Sequence, residues 1–158
     1  MQVYQMKQFQ NGAMEEGAVS VHDVAAYILG KQGPMTAMKL EKLVYYAQAW
    51  SLVWDEKQLF PERIEAWAAG PVVPALYYRH RGQFLLANWE GMPENLSLEQ
   101  RDTIDSVLRF YGNKTSQWLS DLTHSEQPWI EAREGLAPLE RGNREIPAAS
   151  MAEYYGSL

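Results

Sequence analysis

Residues 35–54 read MTAMKLEKLVYYAQAWSLVW, and this stretch decides the fold. Thr36, placed after Pro34, has the side chain and the position of a helix N-cap, and the helix it starts runs to about Trp54. Leu40, Leu43, Val44, Ala47 and Trp54 form one apolar stripe, and Tyr46, Ala49, Trp50 and Val53 form a second beside it. Only a sliver through Glu41, Tyr45 and Gln48 is polar. A helix apolar around most of its circumference is packed on several sides, so the segment 36–54 is expected to be the central buried helix of the domain.

Working outward, Ser20 followed by Asp23 resembles a capping box, and Val21, Val24, Ala25, Ile28 and Leu29 recur at helical spacing. Gly30 and Gly33 are expected to end that helix. Upstream, residues 1–19 read as an N-terminal arm in which Val3, Met6 and Phe9 are the candidate docking side chains. The domain proper is then 20–158. On the other side, Ile64, Ala66 and Ala68 alternate with Glu65 and Trp67, which predicts a short strand or half of a small hairpin. Gly70-Pro71-Val72-Val73-Pro74 reads as a stiff connector, with Gly70 and Val73 pushed extended by the following prolines. Pro74 suits the first turn of a helix through about Arg81. Residues 82–96 read as mostly loop. Ser97 with Gln100 forms a capping box for a helix striped by Leu98, Ile104, Val107, Leu108 and Tyr111, and Gly112 stops it. Shorter helices follow around Trp118, Leu119 and Leu122, then after Ser125 with Trp129, Ile130 and Leu136 inward. A last helix follows Pro147, with Met151, Tyr154 and Tyr155. The expected fold is mainly α, a compact helical domain with a minor β element.

The chain has 158 residues, 46% of them apolar, with six Trp and nine Tyr, enough to bury a core. No run approaches the roughly 18 apolar residues of a membrane span, and no export signal is read at the N-terminus. There is no Cys, which excludes disulfides, thiolate nucleophiles and Cys-based zinc sites and suits a cytoplasmic setting. Fourteen Lys and Arg stand against 20 Asp and Glu, and a net charge of −6 disfavours a phosphate backbone as partner.

The search for chemistry returns little. His22, His80 and His124 are the three histidines, and none has the i, i+4 spacing of a helical metal pair. His22 and His80 read as surface residues, and His80 as a helix C-terminal charge. His124 and Glu126 are the candidate acid–base pair for a small hydrolase, weighed against a pair of residues each answering its own helix dipole. No phosphate loop, dinucleotide-binding glycine pattern or nucleophile elbow occurs. Arg79 and Arg81 beside Tyr77 and Tyr78 suggest a base-stacking patch, which the acidic balance opposes. The same four residues are the candidate partner-binding set, since Tyr and Trp are enriched at interface hot spots.

Two runs carry a resemblance. Met35 to Trp50 and Ile64 to Tyr77, in this order and spacing, are similar to the Panacea domain, the SocA-like, phage-associated antitoxin family. His124 to Trp129 and Met151 to Tyr155 also fit, so the likeness extends over roughly residues 20–156. On this basis Thr36, Lys39, Leu40, Leu43, Tyr45, Tyr46, Trp50, Trp67, Gly70, Pro71, Val72, Pro74, His124, Glu126, Pro128 and Trp129 are the family-motif residues, with a structural role. Glu41 stands where Gln is commoner, and Ala69 where a larger residue commonly precedes Gly-Pro. The resemblance implies a mainly α-helical cytoplasmic antitoxin of a type II-like toxin–antitoxin system, without catalytic residues, metal or cofactor. Its implied partner is a cognate protein toxin such as a translation inhibitor. The implied action is direct binding or, as in one branch, delivery of the toxin to a AAA+ protease.

Overall fold

Ten successive residues, Leu40 to Ala49, are buried on one helix, so the architecture is built around that helix. The computed structural model describes residues 18–158. The expected arm 1–19, with Val3, Met6 and Phe9, therefore lies almost wholly outside the described residues. Among those residues the order is α1 (Val21–Gln32), β1 (Met35–Thr36), α2 (Ala37–Trp54), β2 (Glu65–Trp67), β3 (Gly70–Val72), α3 (Pro74–His80), β4 (Leu85–Leu86), α4 (Leu98–Tyr111), α5 (Ser116–His124), α6 (Gln127–Ala132) and α7 (Ala148–Gly156). A 3₁₀ turn at Pro93–Asn95 precedes α4.

The fold is mainly α with two small antiparallel pairs, as the apolar patterning implies. α2 begins where the Thr36 side chain accepts from the Lys39 N–H at 3.1 Å, and it ends at Trp54. It packs against α4 and α7 most extensively, and against α1, α5 and β3 as well. Leu40, Leu43, Val44, Ala47 and Ala49 meet Val24, Ile28, Ile104, Val107, Leu119 and Met151 in one core. Each aliphatic side chain as large as Val or Leu that is fully buried there contributes about 1.5–3 kcal/mol. The capping boxes at Ser20/Asp23 and Ser97/Gln100 both form, so local chemistry alone fixes the starts of α1 and α4.

Several expectations are corrected. The sliver through Glu41, Tyr45 and Gln48 is buried, because other elements supply the partners that water would otherwise provide. Gln48 accepts from Leu59 N–H at 2.6 Å and donates to Phe60 C=O at 2.8 Å, which pins the chain leaving α2 back onto it. Gly30 lies inside α1, and Gly33, with φ of 83°, is the residue that ends it. The expected connector at Gly70 is the second strand of a hairpin, in which Ala66 faces Pro71. Pro71 removes one ladder donor, and β2 gains a neighbour on its other side instead: Ala66 N–H reaches Arg144 C=O at 2.8 Å, and Ile146 N–H reaches Ile64 C=O at 2.9 Å. Within the mostly loop stretch 82–96, Leu85 and Leu86 pair with Thr36 and Met35. Leu98 and Ile130 point outward, and Glu126, not Ser125, is the N-cap of α6.

Glu126 then turns its carboxylate into the core. Tyr46 and Tyr155 both donate to its Oε1, at 2.7 and 2.6 Å, and Tyr45 donates in turn to the Tyr155 hydroxyl at 3.0 Å. One acceptor thereby ties α2, α6 and α7 together. Burial raises the Glu126 pKa above its ordinary value of 4.5, and the two tyrosine donors oppose that shift. A carboxyl with a raised folded pKa binds more protons folded than unfolded, so stability falls as pH rises from about 4.5 through the folded pKa. Glu126→Gln keeps the acceptor and removes the charge. Its urea midpoint is expected to lose this share of the pH dependence, whereas Glu126→Ala orphans the buried Tyr46 hydroxyl, leaves Tyr155 only its Tyr45 partner and costs about 2 kcal/mol. Urea titrations at several pH values measure both.

Candidate partner-binding surface

α3 has only seven residues, too few to hold its own position, and a buried carboxylate on α2 grips it at both ends. Glu41 Oε1 accepts from the N–H of Val73, the N-cap residue of α3, at 2.8 Å. Glu41 Oε2 meets Nε2 of His80, the last residue of the helix, also at 2.8 Å. His80 is thus buried, 2% exposed, and is not the surface charge its helix-end position suggests. The pairing fixes the rotation of α3 about its axis, which sends Tyr78, Arg79 and Arg81 outward and leaves Tyr77 half-buried.

Two hollows flank the helix, and Tyr77 lines both. The larger, an open groove of about 710 Å³, runs between α3 and the loop Arg141–Asn143, with Trp67 and the hairpin turn Ala68–Ala69 also lining it. Trp67 packs edge-on against Tyr77 with ring centroids 4.7 Å apart. Its indole donates to Glu65 at 2.8 Å, and Trp129 Nε1 donates to its carbonyl at 2.8 Å, so the aromatic wall is held from behind. Arg133 braces the opposite wall. Its buried guanidinium reaches the carbonyls of Ala66, Ala137 and Glu140 at 3.0, 3.0 and 2.6 Å. The smaller hollow, about 220 Å³, includes Met38, Arg81 and Phe84. Phe84 and Leu85 are 79% and 61% exposed beside it.

The four candidate residues divide. Tyr77, Tyr78 and Arg81 act together, with the Arg81 guanidinium 5.9 Å from the Tyr78 ring centroid. Arg79 turns away, donating to Glu90 C=O at 2.9 Å and lying 5.7 Å from the Trp89 ring centroid. Sequence reasoning did not single out Phe84, Leu85, Arg133 or Arg141. Phe84 and Leu85 begin the short apolar run Phe84-Leu85-Leu86-Ala87, without clear periodicity, in a stretch read as mostly loop, and the role of Arg133 rests on carbonyls whose positions only the fold defines.

The motif residues face inward for the most part. Gly70 opens strand β3 with a φ of 121°, a value that glycine takes without the strain another residue would carry. A Cβ there would stand 2.6 Å from Lys42 Cε. Lys42 itself is buried with no hydrogen-bond partner for Nζ among the described residues, and burial lowers its pKa to about 8. His124 stacks on Trp129 at 4.1 Å, and its pKa is lowered, first by burial and then by Lys42. With Glu126 committed to two tyrosines, His124 and Glu126 do not form the acid–base pair considered above, and His124 lies in the last turn of α5. Among the described residues no three His, Asp or Glu cluster at metal-ligating distance, and no helix is long and apolar enough to cross a membrane.

Residues 40–130, from the first turn of α2 into α6, match the family described as antitoxin SocA-like, Panacea domain. No curated protein and no solved structure matches the chain.

Truncating Glu41 to Ala leaves the Val73 N–H and the His80 ring without their partner. A loss of about 3 kcal/mol is expected in chemical denaturation. Tyr78→Ala, at a side chain that is 65% exposed, is expected to stay within about 0.5 kcal/mol of the parent.

Proposed function

This chain belongs to the SocA-like, Panacea-domain antitoxin family, and from that premise we propose that it binds a cognate protein toxin directly and blocks it. The observation that carries the reading is the surface on α3. Tyr77, Tyr78 and Arg81 are presented by a helix locked at both ends, next to an open groove walled by Trp67. Tyr, Trp and Arg are the side chains that dominate interface energies, and a rigid scaffold reduces the ordering cost of association. Exposed Phe84 and Leu85 extend the apolar area across the smaller hollow.

The proposal places neutralisation in contact and not in turnover: a stoichiometric complex that covers the toxin's working surface. Co-expression with the product of the adjacent gene, followed by pull-down and calorimetry, tests it. The neighbour is expected to arrest growth alone and to be silenced by this chain. Tyr78→Ala is expected to weaken the complex by about tenfold or more while the melting temperature holds. A neighbour that is harmless alone and does not bind overturns the reading.

A further inference from the structure

The chain as a whole is acidic, with 20 carboxylates against 14 Lys and Arg, yet neither hollow beside α3 is lined by a carboxylate. Arg141 is the charge in the larger groove and Arg81 the charge in the smaller one. Among the described residues neither guanidinium takes part in a salt bridge. Glu41 is bonded to Val73 and His80, Glu65 to Arg63 at 3.1 Å and to the Trp67 indole, and Glu140, next to Arg141, accepts from the Ala137 N–H at 3.0 Å. Beneath the hairpin turn that lines the groove lies a third cation, the Lys42 ammonium, 3.3 Å from where a Cβ on Gly70 would be. The buried Glu41 carboxylate acts on it electrostatically, so the positive character of the two hollows comes from Arg81 and Arg141.

Resting on the antitoxin reading above, we infer that the α3 surface is built for an acidic segment of the partner protein, with an apolar or aromatic side chain flanked by Asp or Glu. The apolar side chain enters the groove against Trp67 and Tyr77, and the flanking carboxylates meet Arg141 on one side and Arg81 on the other. The groove volume, about 710 Å³, falls within the roughly 300–1,000 Å³ of pockets that enclose drug-sized groups, enough for such an anchor. Charge complementarity of this kind sets partner choice and speeds encounter. Single-stranded RNA would also find arginine and aromatic faces here, but the acidic balance of the rest of the chain repels a long phosphate backbone.

The probes are a short acetylated peptide with Phe and Leu among Asp and Glu, its counterpart with Lys in place of every acid, and a single-stranded RNA of similar length. Fluorescence anisotropy gives the affinity, and the indole N–H signal of Trp67 reports the place. The acidic peptide is expected to bind and shift that signal, to weaken as salt rises, and to lose about tenfold or more in affinity in the R81E/R141E double variant. R81Q/R141Q, which introduces no new acid, is expected to show an intermediate loss with unchanged melting. Equal or tighter binding of the Lys peptide or the RNA overturns the inference, as does acidic-peptide binding unaffected by either double variant. Toxin neutralisation that survives R81E/R141E intact overturns the inference and leaves the antitoxin reading standing. A neighbouring gene product that the unmodified chain does not bind removes the antitoxin reading instead.

Discussion

A carboxylate cut off from water must be answered by donors, and on α2 the carboxylate of Glu41 is answered by both ends of α3. That one residue converts a seven-residue helix, which has no stability of its own, into a fixed platform. The cost of leaving the Val73 N–H or the His80 ring unpaired in the interior is what makes the position of α3 definite. The candidate surface inherits its geometry from this contact, since Tyr77, Tyr78 and Arg81 all lie between or just beyond the two gripped residues.

The same device recurs along α2 at Gln48, which holds Leu59 and Phe60, and at Tyr46, which reaches Glu126. Apolar contact gathers α1, α4, α5 and α7 around the central helix without fixing their register closely. Hydrogen bonds from a few buried polar side chains add direction, since each is satisfied in only one arrangement. Lys42 is the exception. Its ammonium is buried beside them and has no partner among the described residues.

Much of this was legible in the residues themselves. The three capping signals at Ser20, Thr36 and Ser97 are local chemistry, and each starts a helix where it should. The apolar circumference of 36–54 identified the central helix. What was not legible depended on partners distant in sequence. Glu41 and Gln48 read only as a polar sliver, because nothing within a helical turn reveals the donors at Val73, His80, Leu59 and Phe60. His80 looked like a surface charge because its position at a helix end supplied a sufficient local reason. The β1–β4 pairing is two residues long on each strand, too short to leave a periodic trace. At the candidate surface, Tyr77, Tyr78 and Arg81 were reached by composition and Arg79 with them, but only the fold could turn Arg79 toward Trp89 and bring Arg141 to the groove.

Scaffold and proposed recognition are therefore carried by different side chains of the same domain. Thr36, Leu40, Leu43, Tyr45, Tyr46, Val72 and Glu126 cap, fill or tie the interior, and a change at any of them is felt as instability. Tyr78, Arg81, Phe84 and Arg141 touch little of the interior, so the fold places almost no demand on their identity. The family match spans 40–130 and includes residues of both kinds. A framework that leaves its outward positions unconstrained can keep one architecture while presenting different chemistry to different partners. Under the proposed function, the exposed residues around α3 and the 141–143 loop are where partner choice would be written, and the central helix determines only that they are held still.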